Sequence, residues 1–564
     1  MHCKYKVLIL SLVVLMCHAG QALPIELSGS DEESKAIIES SLAYRRLQSL
    51  SNTDGALFWM RRLNKEAKTG LQAIGLYEAS LETKITPDNN KITVLLIQGE
   101  PTRVSNVHIQ LPQEAFQDYN FPLKTGDRLD HQKYEAGKQQ LHAWMLAHGY
   151  LNTKLITHRI EVKRAKRQAE IFLEWDTGPQ YKFGPVEFID NQLSANFLKR
   201  YIPFEQGETF SESQLQKFSE QLRNSGYFSS VDIIPQLDAI EQLLVPLQVR
   251  LQPLNSRVYE LGLSLGTDQG AGIEADVTNR RSNTKGHHWR IQSELTTQRF
   301  LLGTRYSVPS ARHIDRVTRM DLTYVDELTD TSDRQTIKGT LSKQRRSGKW
   351  QRVDSLSLLN EKFTIADVTE QSNLLIGSVD IFRTKAHDII NPSRGWRARA
   401  TFSGASDILG SPLNFIRTDL EYKRIGSFNA KTRWLLHSRV GAMWTDNFEE
   451  LPTSLRFFAG GDRSVRGFDF ESLGPSDSEN NVLGGQYIAT LSLETDYMFR
   501  PNWRVATFVD IGNAFGRGDE SLEHGAGVGL RWVSPIGPVR LDMASALSDP
   551  DNPWRLHFSV GPDL

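Results

Sequence analysis

Cysteine is nearly missing from this sequence. Its 564 residues hold two, Cys3 and Cys17, both within the opening segment of residues 1–22. Removal of that segment would leave no thiol, which excludes a disulfide scaffold, thiolate catalysis and cysteine metal sites together. An excess of either charge is missing too: 66 Lys and Arg stand against 67 Asp and Glu. That balance, with a pI near 6.9, gives nucleic acid no basic surface to bind, and none is expected as a partner. Long apolar runs are scarce. Val7 to Met16, broken only by Ser11, covers about half of the ~20 residues that a membrane-crossing helix needs. With a mean hydropathy of −0.41, this excludes a helical membrane protein. It does not exclude a membrane β-barrel, whose strands alternate and never look apolar in a window average. Reactive motifs are absent as well: there is no Gly-x-Ser-x-Gly elbow, no His-Glu-x-x-His and no phosphate loop. The chain is therefore expected to be no enzyme and to carry no cofactor and no metal. His287-His288, after Gly286, reads as a turn, and Arg517-Gly518-Asp519 as a chance string in a Gly-rich turn.

The apolar segment has the layout of a secretory signal. Lys4 and Lys6 supply a positive start, and Gly20-Gln21-Ala22 supplies small residues for cleavage, so residues 1–22 are expected to be removed after Ala22. An uncleaved anchor is the alternative. Met16 is a poor neighbour for a lipid-bearing Cys17.

At this length the chain must hold several domains. The N-terminal half has a slow repeat. Helical stretches end at Gly75-Leu76-Tyr77, Gly149-Tyr150-Leu151 and Gly226-Tyr227-Phe228, a spacing of about 75 residues that fits small tandem domains better than a solenoid. Extended stretches open each unit, at Pro24 to Leu27, Arg103 to Leu111 and Tyr181 to Ile189. Two helices follow. The second is clearest over Asp130 to His148, where Tyr134, Leu141, Trp144, Met145 and Ala147 recur near helical spacing. In the third unit Ser211 and Gln214 resemble a capping box. Glycine stops each helix where a left-handed residue is needed, and two strands close the β-α-α-β-β unit. The expected divisions are 23–101, 102–178 and 179–255, followed by 256–564.

Beyond Asn255 the period changes to two. Trp396, Ala398, Ala400 and Phe402 alternate with Arg397, Arg399 and Thr401; Ala489, Leu491, Leu493 and Tyr497 alternate with Ser492, Glu494 and Asp496. Trp554, Leu556, Phe558 and Val560 do so again against Arg555, His557 and Ser559. A soluble sandwich would turn the charged face to water, whereas a membrane barrel turns the apolar face to lipid. The signal segment, the lack of thiols and sixteen strand-turn units favour the barrel. Strands are expected from Tyr259 to Gly266, Gly272 to Asn279 and His288 to Thr297 onward, ending with Leu556 to Val560. An even count returns the C-terminus to the side of the N-terminal domains.

Four motifs stand in order in this half: Asn391-Pro392-Ser393-Arg394-Gly395, Val465-Arg466-Gly467-Phe468, Phe508-Val509-Asp510-Ile511-Gly512, and Gly527-Val528-Gly529-Leu530-Arg531 with Pro535-Ile536-Gly537-Pro538-Val539-Arg540-Leu541-Asp542. Together they resemble the BamA/TamA outer-membrane assembly superfamily, and the repeats resemble its polypeptide-transport-associated (POTRA) domains. The resemblance implies three α+β periplasmic POTRA repeats, then a 16-stranded antiparallel transmembrane β-barrel in a Gram-negative outer membrane. It places Val-Arg-Gly-Phe in the sixth extracellular loop, and the long connection within Leu455 to Gln486 follows the eleventh counted strand. A barrel that wide leaves a lumen that side chains cannot fill. The loop is expected to fold inward, with Arg466 offering its planar fork to Asp510, or to Glu494 on the adjacent strand. An exposed turn with a solvated arginine is the alternative. The seam, where the strand Arg555, Leu556, His557, Phe558, Ser559, Val560 and Gly561 meets the first strand, is expected to be weak. Gly561 and Pro562 end that strand early. An incoming strand would pair there by β-augmentation.

Three repeats point within the superfamily to the TamA-like translocation and assembly subunits. That likeness implies a TamB-like, inner-membrane-anchored partner and unfolded autotransporter or other outer-membrane substrates, with outer-membrane lipid around the barrel. A two-partner-secretion type exporter of one dedicated substrate is the alternative, and an outer-membrane enzyme with a lumenal Ser/His/Asp group a more distant one.

Overall fold

The computed structural model describes residues 24–50, 55–86, 91–111, 119–388, 391–516, 518, 520–534, 537–561 and 563. The expected signal segment, Cys3 and Cys17 included, lies outside them, as do Arg517, Asp519, Pro535, Ile536 and Pro562. The chain divides into two compact units. One runs as far as Glu187 and includes 204–217 and 234–248; the other takes 188–203, 218–233 and the chain from Val249 onward.

The first repeat opens with β1 (Ile25–Ser28) and closes with β2 (Ser80–Thr86) and β3 (Lys91–Ile97). Between them lie α1 (Glu32–Ser40), α2 (Leu42–Gln48) and α3 (Ala56–Ala73). The expectation was two helices. The extra one arises because Ser41 leaves helical dihedrals between α1 and α2 and caps the second with its own hydroxyl, which accepts from the Tyr44 N–H at 3.2 Å. Met60, Leu63, Ala67 and Leu71 form the buried stripe of α3, and they pack on Ile92, Val94 and Leu96, the alternate residues of β3. β1 pairs with β3 in parallel and β2 pairs with it antiparallel.

The second repeat repeats this sheet. β4 (Arg103–Gln110) is parallel to β6 (Gln168–Asp176), and β5 (Lys154–Lys163) is antiparallel to it. Its helix α4 spans His131–Ala147, and the Asp130 carboxylate caps it by accepting from Gln132 and Lys133 N–H. In the third repeat β7 (Lys182–Ile189), β8 (Phe228–Pro235) and β9 (Leu244–Pro253) take the sheet order β7-β9-β8, with α5 (Ala195–Leu198) and α6 (Glu212–Arg223) as its helices. α6 starts right after Ser211, but the Ser211 hydroxyl faces that of Ser213 at 2.9 Å in place of the expected box with Gln214. Gly75, Gly149 and Gly226 each stop a helix with φ of 86°, 86° and 78°, the left-handed geometry in which a Cβ is strained.

The remaining strands form one 16-stranded antiparallel sheet from β10 (Arg257–Gly266) to β25 (Trp554–Val560), each hydrogen-bonded to its neighbours in sequence. Apolar residues that would be core in a soluble protein lie on its outside. Leu341, Leu356, Leu358, Ile416, Leu493 and Val528 are all exposed, as a lipid-facing band requires. Trp350, Trp503 and Trp532 lie at the end where the chain enters the barrel, and Trp444, Tyr487 and Trp554 at the far end, the positions of interfacial aromatic belts. At the entry end, within the second unit, the Tyr227 hydroxyl donates to Gly286 O at 2.5 Å and Ser194 N–H to Thr284 O at 2.8 Å. The third repeat thereby touches the loop that follows β11 (Gly270–Asn279). His287 and His288 stand beside that contact, where His287 pairs with the Tyr306 hydroxyl at 2.8 Å and His288 begins a strand.

Candidate functional site: an anchored loop beside an open seam

The chain between β20 (Thr432–Thr445) and β21 (Tyr487–Arg500) is the long loop, and it is built to stay inside the barrel. Its apolar part comes first. Leu451, Phe457, Ala459, Val465 and Leu473 bury themselves against Leu359, Leu374, Phe415, Met443 and Ile488 of the wall. Polar fastenings flank this plug. Glu361 accepts from the Thr453 hydroxyl at 3.1 Å and from Ser454 N–H at 3.0 Å, while Arg456 closes the loop on itself by donating to Leu451, Glu449 and Leu483 carbonyls.

At the tip, Arg466 reaches the wall formed by β21, β22 (Trp503–Phe515), β23 (Glu523–Ser534) and β24 (Gly537–Ala546). Its Nε donates to Asp510 Oδ2 at 2.7 Å and its Nη2 to Asp510 Oδ1 at 3.0 Å, a two-pronged pairing. Its backbone N–H adds a third bond to the same carboxylate at 3.1 Å. Nη1 reaches Glu494 at 2.9 Å and Asp542 at 3.1 Å. Arg531 pairs with the same two acids, and the Phe508 ring lies 3.4 Å beneath the Arg466 guanidinium carbon. Two arginines thus share three carboxylates. Asp510 is 0% exposed, so each charge depends on its partners in a site that water reaches poorly.

Strand period explains why these residues meet. Ser492 and Glu494, Phe508 and Asp510, Arg531, and Asp542 all fall on the lumenal parity of adjoining strands, where Ser492 faces Asp510, Glu494 faces Phe508 and Arg531 faces Arg540. Glycine makes the room. On β23 a Cβ at Gly525 would stand 1.9 Å from Arg466 O, one at Gly527 2.6 Å from the Phe508 ring, and one at Gly529 1.8 Å from Asp542. The alternating glycines cut a slot in the wall that admits the loop tip. Gly467, at φ 102°, lies against the Ser545–Ala546 peptide, where a Cβ would come within 2.8 Å of backbone.

The same tip reaches the seam. β10 and β25 end the sheet and share no strand ladder. Among the described residues two hydrogen bonds join β25 to Thr267, the residue just past β10: Thr267 N–H to Phe558 O and Phe558 N–H to the Thr267 hydroxyl, each at 3.1 Å. Leu261 and Leu263 of β10 are 85% exposed, as apolar residues are when a neighbouring strand is missing. The loop spans this gap: Asp462 accepts from the Thr267 hydroxyl at 2.8 Å and pairs with His557 Nδ1 at 2.7 Å, while Arg555 pairs with Asp469.

The Omp85 superfamily domain matches residues 258–563, more than half of the chain. The chain belongs to the Omp85 superfamily. A POTRA match, described as a surface antigen variable number repeat, covers residues 181–253 of this Omp85 protein, its third repeat. The chain is similar to the outer membrane protein assembly factor BamA of Nitratidesulfovibrio vulgaris, 23% identical over 393 residues, covering 65% of this chain and 49% of that protein. It is also similar to BamA of Neorickettsia risticii, 22% identical over 402 residues, covering 65% and 53%. The chain spans about half the length of the curated relatives it matches. Among solved structures, BamA from Haemophilus ducreyi lacking POTRA domains 1–3 superposes with a TM-score of 0.72 at 17% identity, covering 82% of this chain and 99% of that one, a likeness of fold.

Within this Omp85 barrel the residues named from sequence are distributed as follows. Arg466 meets both Asp510 and Glu494; Val465 is buried in the plug and Phe468 packs beside it. Of the seam strand, Arg555 and His557 face the loop. Leu556 and Val560 face outward, while Phe558 carries the backbone contact to Thr267. Ser559 lies opposite Arg540, and Gly561 falls just past the strand but donates to Pro538 O at 3.2 Å. Sequence reading missed Asp542 and Arg531, although both stand in a quoted motif with the right parity. It also missed Asp462, Thr267 and Asp268, which no local pattern links. The Asn391-Pro392 motif is gripped by Arg433, which donates to Pro392 O at 2.8 Å and to Asn391 at 3.2 Å while paired with Asp496.

Proposed function

We propose that this chain is the outer-membrane component of a TamA-like translocation and assembly module. Its barrel stands in a Gram-negative outer membrane with the N-terminal repeats in the periplasm. It inserts or translocates autotransporters and other outer-membrane proteins at the seam between β10 and β25. The observation that carries this reading is the seam itself. Every other neighbouring strand pair of the barrel is a full ladder, whereas this one rests, among the described residues, on two hydrogen bonds from Thr267 and a loop clasp. Unpaired edge groups inside a bilayer are costly, so a seam this weak favours an arriving strand that pairs with them. The relatives' name, outer membrane protein assembly factor, supports the same class of activity. Three repeats favour the TamA-like branch, by resemblance, and with it a TamB-like partner anchored in the inner membrane. The activity runs through backbone pairing and requires no reactive side chain or cofactor.

Deletion of the gene with profiling of outer-membrane and secreted proteins tests this. Loss of several barrel proteins, autotransporters among them, is expected. Loss of a single secreted protein would replace the reading with a dedicated exporter.

A further inference from the structure

His557 occupies a corner where the loop, the last strand and the turn after the first strand meet. Its two ring nitrogens have different duties. Gly467 donates its backbone N–H to Nε2 at 3.0 Å, so Nε2 must hold a lone pair. The proton of the neutral ring then sits on Nδ1 and is donated to Asp462 at 2.7 Å. Asp462 in turn accepts from the Thr267 hydroxyl at 2.8 Å and donates its backbone N–H to Asp268 at 3.0 Å. One neutral imidazole therefore links the residue beside the Arg466 anchor to both strands of the seam. A second proton, on Nε2, would point at the Gly467 N–H, and two donors cannot share a hydrogen bond. A cation bound at Nδ1 would drive the remaining proton to Nε2 and meet the same obstacle, so the geometry favours a proton over a metal.

We propose that His557 is a proton-operated pin between loop and seam: neutral, it holds Gly467 and Asp462 together, and protonated, it releases Gly467 and loosens both. The charged groups around it are Asp462 and Arg463 on the loop, Asp268 in the turn after β10, Asp542 opposite on β24, where Arg466 and Arg531 already engage it, and Arg555 on its own strand, paired with Asp469. Asp268 acts in the opposite sense. Burial, with Asp462 close by, pushes its carboxyl up to about 7. A carboxyl raised in this way contributes stability to the closed corner that is full below the ordinary carboxylate range and is lost as pH rises from there through about 7. Its proton also removes one of two facing negative charges.

The pin deepens the proposed role of the seam, but its test reads conductance alone, so its failure leaves the assembly reading standing. The full chain is placed in a planar lipid bilayer and its open fraction measured from about pH 8 down to about pH 5, the interval in which imidazoles titrate. The wild-type open fraction should rise on acidification, by at most about tenfold per pH unit as for one proton. His557→Gln offers Gly467 an acceptor that does not titrate, and its acid rise should vanish. His557→Leu removes the acceptor and should be open at both ends of the range. Asp268→Asn keeps an acceptor for Asp462 N–H, and its acid rise should be steeper than wild type. Heat-modifiable gel mobility verifies that each barrel is folded, and if the Leu variant is not, the Gln comparison decides alone. A Gln variant that follows pH as the wild type does overturns the pin, as does a folded Leu variant that is closed at about pH 8. Closure of the acid-opened wild type by added zinc would overturn it in favour of a metal site.

Discussion

At the scale of single residues the site turns on Arg466. Its guanidinium satisfies Asp510 with two prongs and shares Glu494 and Asp542 with Arg531. Arg466→Ala would leave three carboxylates facing one arginine, an uncompensated burial that costs on the order of 3–5 kcal/mol. The loop is then expected to leave its slot, with conductance rising and the loop becoming open to protease. Arg466→Lys should behave much the same, because a point charge cannot span both Asp510 oxygens while reaching Glu494. If the lysine variant keeps wild-type conductance, charge alone holds the loop and the forked geometry is incidental. Arg466, Asp510 and Glu494 were legible in the sequence because strand parity places both acids in the lumen. Asp542 obeys the same parity, but the alternating glycines of β23 left no side-chain pattern to show which strand would sit beside it. Gly525 makes a second test. Gly525→Ala would put a methyl 1.9 Å from Arg466 O, and backbone cannot yield as a flexible side chain does. Its loop should release as in Arg466→Ala, although every charged group is retained.

At the scale of elements the slow glycine repeat marks joints between domains as well as helix ends. Gly75 O accepts from Thr102 N–H at 2.9 Å, and Gly149 O accepts from Tyr181 N–H at 2.8 Å, so each helix stop is tied to the start of the next repeat. A Cβ on Gly149 would stand 2.9 Å from both Phe210 O and Tyr181 O, at a φ of 86°. Gly149→Ala is therefore expected to strain the joint by about 1–3 kcal/mol. Hydrogen exchange should quicken at residues 149–151 and 181–183 while the middle of α4 is unchanged. Uniform quickening through α4 would mean that the glycine serves the helix alone. The sequence spacing revealed the repeats because their turns need glycine. The break between α1 and α2 was hidden, since Ser41 is an ordinary residue inside a helix and only its capping bond to Tyr44 exposes the boundary. Strand number and the place of the long loop were legible for a simpler reason. Alternation and short turns are local properties, whereas the pairing of Asp462 with His557 joins positions 95 residues apart.

At the scale of the whole molecule the question is where a barrel that acts by backbone pairing, as proposed, would do its work. A closed ladder resists lateral opening in proportion to the hydrogen bonds that must break, and here fifteen strand pairs have ladders and the sixteenth does not. Its direct bonds lie at one end, around Thr267 and Phe558, while the outward residues Tyr259, Leu261 and Leu263 farther along β10 are among the most exposed apolar residues of the chain. Opening would thus begin from the end at which the chain enters the barrel and stop at the clasp. A covalent bond placed at the clasp tests this. The bond from Thr267 N–H to Phe558 O sets Gly266 opposite Ser559 across the seam, both on the lumenal parity, so cysteines at these two positions can be joined by a disulfide. Gly266→Cys with Ser559→Cys, oxidised, should leave the barrel folded and its conductance low, yet stop the appearance of newly made substrate barrels. Reduction should restore assembly in the same membranes. A locked barrel that still assembles its substrates would move the work to the lumen or to the repeats, because no strand could then enter the sheet at the closed seam.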